Sequence, residues 1–212
     1  SVLNDMRLSD GSLWSMPITL DVDDKFLSKI SNSPKITLRD KEGFILAILT
    51  IEDIWKPDLE LEAQSVFGTR DAKHPGVNYL LNTSNKNYIG GRINKVSAPH
   101  HYDFQELRHS PDELKLIFKK NKWDKVIAFQ TRNPIHKAHF ELTTKAMKEL
   151  NANLLIHPVV GMTKPGDVNH YTRARCYKHI MKEYPKSSAF LSLLPLAMRM
   201  GGPKETLLHA KI

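Results

Sequence analysis

"KVIAFQTRNPIHKAHFEL", Lys125 to Leu142, is the stretch that decides the fold. It opens with a short apolar run, Val126 to Phe129, of the length and β-branched character of a buried strand. A polar knot follows, Gln130-Thr131-Arg132-Asn133, then a proline and two histidines three residues apart. Asn133 reads as an N-cap and Pro134 as the first helical residue, which predicts a helix from Pro134 to about Glu149. A strand that turns directly into a helix is the first half of a β-α-β unit.

Downstream, the same alternation repeats. "NLLIHPVV" (153–160) reads as a second strand and leads into the loop "GMTKPGDVNH". "YTRARCYKHIMKEY" reads as a helix stopped by Pro185, and "SAFLSLL" as a third strand before a helix that begins near Gly202-Pro203. Upstream, Ser110-Pro111-Asp112-Glu113 has the form of a capping box, with Leu114, Ile117 and Phe118 forming the apolar face behind it. The β-α-β-α-β-α order predicts parallel strands with right-handed crossovers, and ligands in such sheets bind outside the carboxyl ends of the strands.

The first hundred residues have a different texture, mostly short strands. Ser12 to Val22 is expected to be extended, with Pro17 at an edge or a bulge. Lys35 to Trp55 reads as a hairpin turned at Asp40-Lys41-Glu42-Gly43, and a helix around 57–68 is expected to stop at Gly68. Gly90-Gly91 marks a bulge rather than a phosphate loop, because no helix follows it. The fold class is therefore α/β overall, with a β-rich part before a parallel-sheet part and a division near residue 106.

Composition narrows the setting. The chain has 212 residues, 41% hydrophobic and 25% charged, as an ordinary globular protein does. No apolar run of about 18 residues is present, so no transmembrane helix is expected. A single cysteine, Cys176, cannot form an internal disulfide; this fits a reducing, cytoplasmic compartment, and a structural thiol at least half buried is expected. The formal charge of +8 suits an anionic partner. The cations are dispersed, Lys119-Lys120-Asn121-Lys122 reads as a solvated helix end, and no stripe combines basic with aromatic residues; nucleic acid is not expected as a partner.

The chemistry converges on the polar knot. Free N–H groups and the helix dipole favour an anion at a helix start. His136 and His139, at i and i+3, add imidazole donors on one face. Arg132 adds a planar fork suited to an oxyanion, and Gln130 adds an orienting amide. Three plainer readings stand beside this one: two inconsequential surface histidines, a solvated Arg132, or a zinc site, for which an HxxH without a third ligand is poor support.

"FQTRNPIHKAHFEL" resembles the nucleotide-binding signature of the ATP sulfurylase (sulfate adenylyltransferase) family of HxxH nucleotidyltransferases. "GSLWSMPITLDV", "LLIHPVVGMTKPGDVNHYTRARCY" and "FLSLLPLAMRMGGPKETLLHA" resemble the same family in order, and the likeness covers nearly the whole chain. "LLPLAMRMGGP" looks nearer to the stand-alone fungal and bacterial type than to the animal bifunctional synthetases.

The resemblance implies an incomplete PUA-like domain at 1–106 and an incomplete Rossmann-like nucleotidyltransferase domain at 107–212. It implies a reaction of ATP with sulfate to give adenylyl sulfate and pyrophosphate, with Mg2+ arriving as Mg-ATP and no tightly bound protein metal. Gln130 and Arg132 would hold sulfate, and Thr131, Arg132 and Asn133 would form a catalytic trio. His136 and His139 would bind the ATP phosphates and stabilise the departing pyrophosphate. Lys164 and Met198 are secondary candidates, for phosphate or sulfate and for the adenosine pocket. Thr163 and Asp167 share the loop of Lys164, His157 reads as a packing histidine, and Arg199 as a salt-bridge partner.

The resemblance also implies a homo-oligomer, more chain before "MRLSDGSLW", and a Gly-Arg-Asp motif beyond Ile212 that would supply another arginine, so that the stretch alone would be inactive. With the native start missing, an organellar transit peptide stays open beside the cytoplasm. Two further readings remain: the sulfurylase part of a bifunctional adenylyl-sulfate kinase/sulfurylase, and a PUA-like nucleic-acid-binding protein.

Overall fold

The structure is a computed structural model and describes residues 2–30, 33–161 and 166–211. In chain order the elements are α1 (Val2–Asp5), β1 (Leu20–Val22), α2 (Asp24–Ile30), β2 (Lys35–Arg39), β3 (Ile45–Trp55), α3 (Leu59–Phe67), α4 (Pro75–Asn78), β4 (Asn87–Lys95), α5 (Pro111–Lys120), β5 (Val126–Phe129), α6 (Lys137–Leu150), β6 (Asn153–Ile156), α7 (His170–Ile180), β7 (Ala189–Leu191) and α8 (Gly202–Lys211). They gather into two compact units, residues 1–100 with 199–212, and residues 101–198. Among the described residues no helix is long and apolar enough to cross a membrane.

The first unit is built on an antiparallel sheet of order β1-β4-β3-β2. Alternation along β2 and β3 sends Ile36 and Leu49 to one face, where they pack with Val22 and Ile89. The register slips between Ile51 and Asp53 opposite Gly90 and Gly91, so the bulge falls at the glycine pair, with Glu52 on the facing strand as the extra residue. A Cβ at Gly91 would collide with the Thr50 carbonyl, which explains a glycine there. Asp58 caps α3 by accepting from Leu61 N at 2.9 Å, and Gly68, at φ 72°, ends it.

The strand expected from Ser12 to Val22 shrinks to Leu20–Val22. Ser12 instead donates to Asp10 through both its N–H and its hydroxyl, Ser15 donates to the Lys204 carbonyl, and Pro17 has no N–H to give. Helix α8 belongs to this unit: Leu208 packs on Met16 and Val66, and the Glu205 carboxylate accepts from the N–H groups of Arg199 (2.6 Å) and Gly201 (2.9 Å). Arg199 also donates to the Pro17 carbonyl at 2.8 Å, which makes it a structural tie.

The second unit holds the parallel sheet, in order β5-β6-β7, with Phe129, Ile156 and Leu191 in register at the carboxyl edge. β6 is central and its Leu154, Leu155 and Ile156 are buried, as expected of a strand covered on both faces. Leu154, Ile156, Tyr177, Tyr184 and Leu191 form the core. The capping box at Ser110 is present in both directions, Glu113 N to Ser110 Oγ and Ser110 N to the Glu113 carboxylate. Cys176 is exposed, contrary to expectation, because α7 buries the stripe Arg173, Ala174 and Tyr177, and Cys176 lies off that stripe.

Candidate anion-binding site

Pairing continues past the formal strand ends. His157 N donates to the Phe129 carbonyl at 3.0 Å, Val159 N to the Thr131 carbonyl at 2.9 Å, and Val160 N to the Leu194 carbonyl at 2.9 Å. The 130–133 knot is thereby anchored to the carboxyl edge of the sheet. Gln130 lies half-buried immediately after β5. The Thr131 hydroxyl accepts from Asn133 N at 3.0 Å and donates to the Asn133 carbonyl at 3.1 Å, closing a tight local turn.

That turn moves the helix start. α6 begins at Lys137 with His136 as N-cap, three residues later than the Asn133–Pro134 reading predicts. Asn133 is held by Thr131 and by the Tyr177 hydroxyl, which donates to its carbonyl at 2.8 Å, so it does not cap. His136 and His139 become the N-cap and third helical residues. Their ring centres are 3.8 Å apart, and the Phe129 ring is centred 5.6 Å from that of His139. The first-turn N–H groups of a helix have no intrahelical partner. The His136 side chain does not cap them, and no acidic residue stands in that turn.

His139 Nδ1 is buried without a hydrogen-bond partner. Burial first, and the neighbouring His136 second, push the His139 imidazole below the ordinary histidine range and toward its neutral form. Its backbone carbonyl accepts from Thr143 Oγ1 at 2.9 Å, and Thr143 in turn meets the Tyr184 hydroxyl at 2.7 Å.

Arg132 Nη1 contacts Asp167 Oδ2 at 2.9 Å, with the Asp167 side chain only 6% exposed. One edge of the guanidinium is therefore fixed in plane. Arg173 is 2% exposed and donates to the carbonyls of Val168 (2.8 Å), Arg132 (2.9 Å) and Val159 (2.7 Å). Arg173 and Tyr177 escape a motif-based reading. Their one sequence signal is a cation occupying a core position in the buried stripe of α7, four residues from an aromatic.

Met198 is half-buried in the segment after β7 and stands apart from these contacts. Lys164 and Thr163 lie outside the described residues. His157 is half-buried, and burial shifts its imidazole toward neutral. Gly161 shapes the crevice: a Cβ there would collide with the Leu196 carbonyl, so the loops after β6 and β7 approach closely only because this residue has none. Among the described residues no three His, Cys, Asp or Glu side chains gather as a protein-held metal would require.

A parallel sheet whose leading strand runs into a histidine-bearing helix start, in a chain that also holds an antiparallel β domain, is the frame of a nucleotidyltransferase-like α/β protein. Residues 105–212 match the ATP-sulfurylase family and residues 1–98 match the PUA-like domain. The chain belongs to the ATP-sulfurylase family. It is 51% identical over 212 residues to a sulfate adenylyltransferase of Saccharomyces cerevisiae, covering all of this chain and 41% of that protein. It is 54% identical over 214 residues to a sulfate adenylyltransferase of Chaetomium globosum, covering 37% of it. The chain thus spans about two fifths of the curated relatives it matches. Among solved structures, a hexameric APS kinase from Thiobacillus denitrificans superposes with a TM-score of 0.77 at 32% identity, over 99% of this chain and 37% of that one.

Proposed function

We propose that the native protein is a sulfate adenylyltransferase and that the 130–139 segment carries its chemistry. A sulfate oxygen attacks the α-phosphorus of ATP in line; an S–O–P linkage forms, the bond from the α-phosphorus to its bridging oxygen breaks, and pyrophosphate leaves with the electron pair. Sulfate is already an anion, so no general base is required. The work is to bring two anions together and to stabilise charge on the leaving group, which fixed donors do well in a shielded crevice.

Arg132 and Gln130 take the sulfate in this reading. His136, His139 and the first-turn N–H groups of α6 take the β- and γ-phosphates. Thr131 sets the turn that places Arg132 and Asn133 between them. Mg2+ enters with the nucleotide as part of the substrate. Residues 107–212 would carry these groups, Met198 and Lys164 would border the nucleotide, and residues 1–106 would form the PUA-like domain. A cytoplasmic homo-oligomer is proposed with it.

The observation that carries the reading is Arg132 standing four and seven residues ahead of the two members of a close imidazole pair, at the carboxyl edge of a parallel sheet. The test is Arg132→Ala in the full-length native protein, assayed as ATP formation from adenylyl sulfate and pyrophosphate. Turnover is expected to fall by about 10²–10³ with the thermal midpoint retained, the scale of one preorganised donor. Wild-type turnover by that variant would overturn the reading.

A second reading, a sulfurylase part fused to an adenylyl-sulfate kinase, is favoured by the superposition on an APS kinase. The 212 residues contain no G-x-x-x-x-G-K-[ST]. That motif elsewhere in the native chain, with adenylyl-sulfate-dependent ATP consumption, would establish it.

A further inference from the structure

An anion site built from a loop has an inherent difficulty. Every peptide that offers an N–H also carries a carbonyl oxygen with partial negative charge. At residues 131–133 all three carbonyls are engaged by donors from elsewhere in the unit. The Thr131 carbonyl accepts from Val159 N at 2.9 Å, and the Arg132 carbonyl from Arg173 Nη1 at 2.9 Å. The Asn133 carbonyl accepts from the Tyr177 hydroxyl at 2.8 Å.

Two of these donors stand four residues apart on α7, on its buried face. Arg173 does more than fill one carbonyl. Its Nε and Nη1 also take the carbonyls of Val168 and Val159, so one buried guanidinium joins the loop after β5, the loop after β6 and the approach to α7. Among the described residues no carboxylate is paired with it, and its charge is met by carbonyl dipoles and by the neighbouring Tyr177 hydroxyl. An uncompensated cation behind the loop adds positive potential where an anion would sit, with little screening by solvent.

We propose that Arg173 and Tyr177 are positioning residues of the anion site: they hold the carbonyls of Arg132 and Asn133 away from the incoming oxyanions, and Arg173 supplies buried positive potential from behind. This rests on the reading that the segment binds sulfate and nucleotide phosphates. A lysine cannot replace Arg173, because one ammonium cannot serve three carbonyls in the plane of a fork.

The test compares wild type, Arg173→Lys and Tyr177→Phe in the full-length native protein, well below each variant's unfolding temperature. Turnover per folded molecule and KM are measured in the ATP-forming direction, and inorganic pyrophosphate binding is measured by calorimetry. Tyr177→Phe is expected to fold normally and to lose turnover by about three- to tenfold, the rate equivalent of one hydrogen bond. Arg173→Lys is expected to lose about a hundredfold.

Both variants should also bind pyrophosphate more weakly than wild type. A merely structural role would lower the thermal midpoint and leave turnover per folded molecule unchanged; that result in Tyr177→Phe overturns the proposal even if Arg173→Lys fails to fold. A wild-type protein that makes no ATP, yet binds pyrophosphate more tightly than Tyr177→Phe, would sink the assigned reaction and uphold the positioning.

Discussion

Pyrophosphate binding should load a proton onto His139. Two unit charges 3.8 Å apart repel by about 1 kcal/mol at the dielectric of water and by about 4 kcal/mol at an effective dielectric of about 20. The repulsion opposes placing a second proton beside the first. Burial, the larger cause, works in the same direction on His139, so its imidazole is held toward the neutral form in the empty site. A ligand with three or four negative charges reverses the sign, because each imidazolium then faces more attraction from the anion than repulsion from its neighbour.

Binding at pH 7.5 should therefore take up at most about one proton at His139, more than His139→Gln takes up, and should tighten as pH falls, by at most about tenfold per pH unit. The empty protein behaves oppositely. With its folded pKa depressed, His139 costs stability as pH drops below about 6.5, where the unfolded chain binds the proton more readily. The assay is calorimetry of pyrophosphate binding to the full-length protein in two buffers of different ionisation enthalpy, for wild type and His139→Gln. The difference between them removes the protons that pyrophosphate itself exchanges. Equal uptake by both would refute the argument.

Two other outcomes are expected. Gly161→Ala should lower stability by about 1–3 kcal/mol in urea unfolding, since the new methyl group meets the Leu196 carbonyl, which is backbone and cannot swing aside; an unchanged midpoint would show that the two loops are not in contact. Glu62 is held above the ordinary carboxylate range by burial, against the opposing pull of the Tyr88 hydroxyl at 3.0 Å and of Arg199, so its favourable contribution is complete at acid pH and is lost as pH rises through the folded value. Glu62→Gln keeps an acceptor for Tyr88 and should match or exceed wild type in thermal midpoint at pH 7, with the advantage gone near pH 4; a lower midpoint at pH 7 would mean that the attraction of Arg199 outweighs burial.

Much of this protein was determined by local sequence. The Ser110 capping box, the Asp40–Gly43 turn and the glycine at the end of α3 rest on interactions within about four residues, and the Val126–Phe129 strand and the alternation of strands with helices follow from local runs of apolar and turn residues, all of which spacing and residue type report directly. So does the clustering of Arg132, His136 and His139. What the tertiary structure alone decided is how that cluster is held. Asn133 loses its cap role because Tyr177, 44 positions later, donates to its carbonyl, and Arg173 reaches the Arg132 carbonyl across 41 positions. Cys176 is exposed because its helix turns Arg173 and Tyr177 inward instead. Periodicity records which face of a segment is apolar. It does not record which distant donor satisfies a given carbonyl, because that pairing exists only after the sheet has brought the loops together.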